Sequence, residues 1–207
     1  MRLLSLFFIS FILFSLLVII FPNIDLVISS FFYDDFTHNF PSNLLLDFLK
    51  DLFQSIAVWI FIVLLLVLAI IYSVTKQVNY QIVFLISTLF ISALIIEVVM
   101  KNAFGRARPR DIIEFNGELI FTRAYEISNQ CDFNCSFVSG HAGIGFYFLC
   151  FGFLARRTWA FIPGLALGFA LSYTRIAQGG HFFSDVIIAG YVTFFIAWIN
   201  AKYWLPK

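Results

Sequence analysis

At 207 residues, 61% of them hydrophobic and 12% charged, the chain carries about half the charge of an ordinary soluble domain, where charged residues make up roughly a quarter. Its 29 phenylalanines supply more apolar surface than one soluble core of this size can hide, which excludes a soluble globular domain and points to a membrane. The net charge of +1 leaves no basic field for nucleic acid.

Leu3 to Phe21 is the first apolar run, and its 19 residues would span about 28 Å as a helix. It ends in Pro22-Asn23-Ile24-Asp25 without a small-x-small cleavage pattern, so a retained span is expected rather than a cleaved signal peptide. Five further runs follow, near residues 56–74, 80–100, 138–155, 159–173 and 186–204, those at 138–155 and 159–173 being short. In lipid a helix satisfies its own backbone groups. The expectation is an all-α, polytopic bundle of six transmembrane helices, in one domain over residues 1–207, since no repeat or Pro/Gly/Ser-rich seam divides the chain.

The short connections set the orientation. Arg2, Lys76, Arg156, Arg157, Lys202 and Lys207 fall at ends and loops of one parity, which predicts that face to be cytoplasmic. The opposite loop, Pro22 to Ser55, carries Asp25, Asp34, Asp35, Asp47 and Asp51 against Lys50 alone, in keeping with an N-in, C-in topology. Loops 101–137 and 176–184 then emerge on the outer face, together with every candidate chemical group.

Within the first outer loop, Pro41-Ser42-Asn43 reads as a helix start. Leu45, Phe48, Leu49 and Leu52 then recur at helical spacing opposite Asp47, Lys50 and Asp51, which predicts a short interfacial helix, either a gate for lipid or a plain connector. In the fifth span, Gly164 and Gly168 form a small-xxx-small face suited to close packing inside the bundle. Cys131 and Cys135 precede the fourth span, where an oxidising compartment would permit a disulfide; two free thiols are the alternative. No metal site is expected, because His141 is the only histidine near these cysteines and no fourth ligand is evident.

Three clusters carry chemistry. After the third span come Lys101, Arg106, Arg108 and Arg110, with Pro109 between the last two. Singly these are ordinary headgroup anchors, but positive residues are depleted from outer loops, and arginine suits multidentate capture of phosphate oxygens. Glu97, four residues before Lys101, either aims that lysine or is a buried carboxylate without function. Ser139-Gly140-His141 opens the fourth span, where helix N-terminal amides favour an anion, Ser139 adds a hydroxyl, and His141 can give a proton to a leaving oxygen. Arg175, His181 and Asp185 form the third cluster. If a helix begins near His181, Asp185 shares its face and can take a hydrogen bond from one ring nitrogen, leaving the other free to attack.

Lys101 and Arg108-Pro109 in the spacing K-x-x-x-x-x-x-R-P, then Ser139-Gly140-His141, then R-x-x-x-x-x-H-x-x-x-D from Arg175 to Asp185, resemble the three-part signature of the type 2 phosphatidic acid phosphatase family. The resemblance implies a six-helix, metal-independent membrane phosphatase with its site near the outer interface. It implies His181 as the nucleophile that forms a phosphohistidine, Asp185 as its orienter and His141 as general acid. Lys101, Arg108, Ser139, Gly140 and Arg175 are the implied phosphate ligands; Glu97, Arg106 and Arg110 are supporting candidates from their places in the first cluster, not from the resemblance. Two positions depart from the pattern: Val138 stands where proline is usual, and Thr174 where serine is usual. The stretch from Arg106 to His141 looks like the bacterial branch that includes lipid A phosphatases, which implies a lipid A-type substrate in the bacterial inner membrane, dephosphorylated at the periplasmic face. Undecaprenyl diphosphate and phosphatidylglycerol phosphate are the competing substrates, and a non-catalytic phospholipid-binding or transport protein is the rival of another class. No cofactor, no nucleic acid and no obligate protein partner is expected, only the membrane lipid.

Overall fold

The computed structural model describes residues 2–41 and 44–206. The expected helix start at Ser42-Asn43, and Lys207, lie outside them. Among the described residues the chain is all-helical, with only isolated bridges at Asp34–Asn39 and Ile112–Leu119.

Helix α1 (Arg2–Ile20) ends at Pro22, and the chain bends by 83° into α2 (Ile24–Ser30). The next helix, α3 (Leu44–Thr75), corrects an expectation. The segment 44–52 is no separate interfacial helix; it continues without a break into the run at 56–74, because no glycine or proline interrupts the helical pattern. At 1.5 Å per residue α3 is about 48 Å long, well beyond a hydrocarbon core of about 30 Å, so its polar first turns project past the apolar part. The short helix of this loop is α2 instead.

Asn79 caps α4 (Tyr80–Ala93) by accepting from the amides of Gln81 and Ile82. This helix runs on through a π-helical stretch, Leu94–Met100, into α5 (Lys101–Phe104), and stops at Gly105 in the left-handed region. The run at 138–155 is two helices, α6 (Gly140–Tyr147) and α7 (Cys150–Ala155). The last two are α8 (Ile162–Ala177) and α9 (Phe183–Trp204), each reaching further into the 176–184 loop than hydropathy alone indicated.

Among the described residues, four stretches are long and apolar enough to cross a membrane: Leu45–Thr75, Tyr80–Asp111, Thr158–Ala177 and Phe183–Trp204. The bent pair α1–α2 makes a fifth if it counts as one span, and Gly140–Ala155 is apolar but shorter. At the centre, α6 packs on α8 and α9. Gly164 and Gly168 pack closely inside the bundle as expected: a side chain on Gly168 would enter the Phe146 ring of α6, and one on Gly164 would meet the backbone at Phe148–Leu149, between α6 and α7. The outer surfaces of α1 and α3 stay apolar, with Ile9, Leu13, Val58, Leu66 and Ile70 exposed, as suits contact with lipid.

Candidate active site

Helices α3, α5, α6 and α8 and the loops between them line one cavity of about 490 Å³. Lys101 enters from the first residue of α5 and Arg108 from the segment after that helix, His141 from the first turn of α6, Arg175 from the last turn of α8, and His181 from the α8–α9 turn; Arg110, Asn134 and Gln178 line it too. Asp47, Asp51 and Gln54 of α3 form the facing wall. Six residues singled out from sequence therefore meet in one place. Ser139, Gly140, Asp185 and Arg106 do not line this cavity, and Glu97 opens instead onto the neighbouring groove.

The cations are held from behind. Lys101, 4% exposed, donates to Glu97 Oε2 at 2.6 Å and to Asn134 Oδ1 at 3.0 Å. Glu97 thus aims the lysine, and its side chain is 47% exposed, which corrects the alternative of a buried carboxylate. Arg108 gives Nε and Nη2 to the Asn134 carbonyl, at 3.1 and 2.6 Å. Asn134 sits in the left-handed region at φ 53°, inside a turn closed by a Cys131–Cys135 disulfide with Cα atoms 5.6 Å apart. Arg175 donates Nη1 to Gln178 Oε1 at 2.6 Å, while Gln178 donates onward to Asp47 at 2.9 Å. Its Nε, buried at the cavity, has no hydrogen-bond partner among the described residues. Buried donors are rarely left so, and an anion in the cavity would satisfy it.

His181 is 1% exposed, and its geometry differs from the expectation. Helix α9 starts at Phe183, so the turn places His181 before the helix and Asp185 in its first turn; the two do not share a helical face. Nδ1 lies 3.9 Å from Asp185 Oδ2, outside hydrogen-bond range, and 2.7 Å from the Ser136 carbonyl. A carbonyl only accepts, so Nδ1 carries the proton and Nε2 keeps the lone pair. Burial, and then the charges of Arg175, Arg108, Lys101 and His141, hold the His181 pKa well below the usual 6.5, leaving the ring neutral at neutral pH.

Asp185, fully buried, works one step back. Oδ2 accepts from Ser136 Oγ at 2.5 Å and from the Phe182 amide at 2.8 Å; Oδ1 accepts from Arg106 Nη1 at 2.6 Å. Its carbonyl accepts from the Ser139 amide at 3.2 Å, linking this network to the start of α6. There Ser139 is a helix cap, its Oγ accepting from the Ala142 amide. Arg106 is entirely internal: besides Asp185 it bonds Asp25, Ser184 and the Thr122 carbonyl, and its guanidinium stacks 4.2 Å over the Phe182 ring. The peptide preceding Val138 is cis.

Asn134, Ser136, Gln178 and Asp25 escaped the sequence reading. Two of them act through backbone carbonyls, which no side-chain pattern reports. Asp25 looked like one more charge of an acidic loop, although its place just after Pro22-Asn23, at the start of a short helix, could have drawn notice.

Residues 81–206 match the family model described as the PAP2 superfamily. A protein of Francisella tularensis subsp. novicida (strain U112), named Lipid A 4'-phosphatase, is 41% identical over 110 residues, 51% of this chain and 50% of that one. Proteins of the same name from Rhizobium leguminosarum and Rhizobium etli are each 32% identical, over 107 and 98 residues, covering 50% and 46% of this chain and 46% and 38% of theirs. The chain thus spans about half the length, or less, of the curated relatives it matches. No solved structure matches it.

Proposed function

The chain belongs to the PAP2 superfamily, and from that premise we propose that it is a metal-independent membrane phosphatase acting on lipid A-type phosphates through a phosphohistidine. One observation carries this reading: a neutral, buried imidazole, its Nδ1 held by the Ser136 carbonyl, lines the same cavity as Lys101, Arg108 and Arg175.

In this mechanism the three cations Lys101, Arg108 and Arg175 bind the phosphate oxygens. The Nε2 lone pair of His181 attacks phosphorus, the bond from phosphorus to the lipid oxygen breaks, and His141 protonates that oxygen. Water, deprotonated by His141, then attacks the phosphorus of the phosphohistidine; the P–N bond breaks, inorganic phosphate leaves, and both histidines are restored. Rate enhancement rests on placement and on cationic stabilisation of the equatorial oxygens. Fixed ammonium and guanidinium groups supply the charge, so no metal is required.

A lipid is favoured over a soluble ester by the groove between α3, α4 and α6. Ala57, Val58, Phe61, Phe90, Ala93 and Ile144 line it, and it shares Lys101, Asn134 and His141 with the phosphate cavity. An acyl chain entering from the bilayer would lie there while its phosphate reaches the cations. We place the protein in the bacterial inner membrane as one unit of six passes (α1, α3, α4–α5, α6–α7, α8 and α9), with both termini cytoplasmic and the cavity periplasmic. The positions of Lys76, Arg156, Arg157 and Lys202 at the opposite helix ends support that orientation.

Purified full-length chain is expected to release inorganic phosphate from lipid A, with kcat/KM exceeding that for undecaprenyl diphosphate and phosphatidylglycerol phosphate, and with chelators making no difference. Binding without release from any of the three would instead favour the non-catalytic lipid-binding protein.

A pH dependence follows from His181. Its folded pKa lies below 6.5, so the free-enzyme profile of kcat/KM is expected to show no acid limb from this group until below pH 6.5. An NMR titration of the His181 ring with its midpoint at or above 6.5 would contradict a buried neutral nucleophile. The sign for stability is the same. Above about pH 6.5 the ring is neutral in both states and contributes nothing; as pH falls below that value the unfolded chain takes up the proton first and the fold loses stability.

A further inference from the structure

Building on the phosphatase reading above, we propose that Asp25 is a positioning residue for the nucleophile. It lies in α2, 1% exposed, outside the residues 81–206 that match the family. Oδ1 accepts from the Ser184 amide at 2.8 Å, and Oδ2 accepts from the Ser184 hydroxyl at 2.6 Å and from Arg106 Nη2 at 2.8 Å.

These bonds do two things. The Ser184 amide is one of the first-turn N–H groups of α9 that has no acceptor within its own helix. Asp25 therefore caps, from a distant element, the helix that begins two residues after His181, and places a carboxylate at the positive end of its dipole. The second effect runs through Arg106. Its Nη1 donates to Asp185, Asp185 accepts the Ser136 hydroxyl, and the Ser136 carbonyl takes the His181 Nδ1 proton. The Ser136 amide also donates to the Arg106 carbonyl at 2.8 Å, so Ser136 is gripped from both sides.

Two buried carboxylates share one guanidinium, and each limits what the other can draw from it. With the Asp25 charge gone, Arg106 is free to turn wholly to Asp185. The Asp185 oxygens are then redivided among Arg106, Ser136 and Phe182, and the Ser136 carbonyl that sets the imidazole ring moves with them. A nucleophile displaced by about 1 Å loses on the order of 100-fold in rate, whereas the cations Lys101, Arg108 and Arg175, supported by Glu97, Asn134 and Gln178, keep their grip on the phosphate.

The test compares wild type and Asp25→Asn as full-length protein on lipid A, with active sites counted by the burst of acid-labile phosphoenzyme. Expected is a fall in kcat per active site of about 10- to 100-fold with KM within about threefold. If Asp25 were only a fastening for α2, the variant would yield fewer active sites and melt earlier, yet turn over at the wild-type rate per site; that result overturns the proposal. Should Asp25→Asn fail to fold, Ser184→Ala removes one hydroxyl shared by Asp25 and Arg106 and spares the amide. About a tenfold fall in its kcat at unchanged KM supports the proposal, and a wild-type kcat in folded Ser184→Ala overturns it. A wild-type chain that releases no phosphate sinks the phosphatase reading itself, and this inference with it.

Discussion

Replacing His181 by asparagine is expected to lower phosphate release by on the order of 10⁴-fold or more while leaving a folded chain that still binds phosphate. The proposed nucleophile is Nε2, and asparagine has no atom that can take its place. Its side-chain amide can, however, present an N–H to the Ser136 carbonyl that now receives Nδ1 at 2.7 Å. His181→Ala would leave that buried carbonyl unpaired, at a cost of about 1–3 kcal/mol, and so would mix a folding defect with a chemical one. The His141→Ala variant separates the two histidines. Without a general acid the loss depends on the leaving group, so His141→Ala should be poor on lipid A but recover most of its rate on an activated aryl phosphate, whereas His181→Asn should be inert on both. Quenched reactions of His141→Ala should still contain phosphohistidine, and those of His181→Asn none. Ordinary turnover by His181→Asn would show that another group attacks phosphorus.

The parts of this site that were legible in the sequence are those in which a residue type and its chemistry coincide. Lys101, Arg108, Arg175, His141 and His181 line one cavity, and each stands out in the sequence as a cation or a histidine within one of three short clusters. Helix ends were less legible, since hydropathy reports where a chain is apolar rather than where its helix stops. Arg175 belongs to the last turn of α8, and α3 extends to Leu44. The relation of His181 to Asp185 shows the same limit. Four residues apart reads as one helical face, yet the helix begins between them, so the pairing passes to Ser136, whose nearness depends on how the 105–139 loop folds back. Asn134 and Asp25 are harder still. Each serves partners from 26 to 159 residues away, and only the folded chain makes such pairs visible.

Arg106 is expected to be the largest single contributor to stability among the charged residues of the site. It is 1% exposed and bonded to two carboxylates that are themselves buried, at 2.8 Å to Asp25 and 2.6 Å to Asp185. Taking away one partner of a buried pair leaves uncompensated charge behind, at about 3–5 kcal/mol, and Arg106→Met strands two carboxylates together with the Thr122 carbonyl. Thermal unfolding should show a loss of at least that size. Arg106→Lys should fall between Met and wild type, because one ammonium keeps the charge but cannot span acceptors that the guanidinium fork reaches on opposite sides. Arg110, half exposed and 3.7 Å from Asp111, is the contrast: Arg110→Met should cost no more than about 1 kcal/mol. The decisive measurement is the double variant. With the guanidinium gone, neutralising one stranded carboxylate by Asp25→Asn relieves repulsion instead of breaking a bond, so Arg106→Met with Asp25→Asn should lose clearly less than the sum of the two single losses. Additive losses would mean that Asp25 and Arg106 do not act as one buried unit, and the line of bonds from α2 to the imidazole would lose its energetic basis.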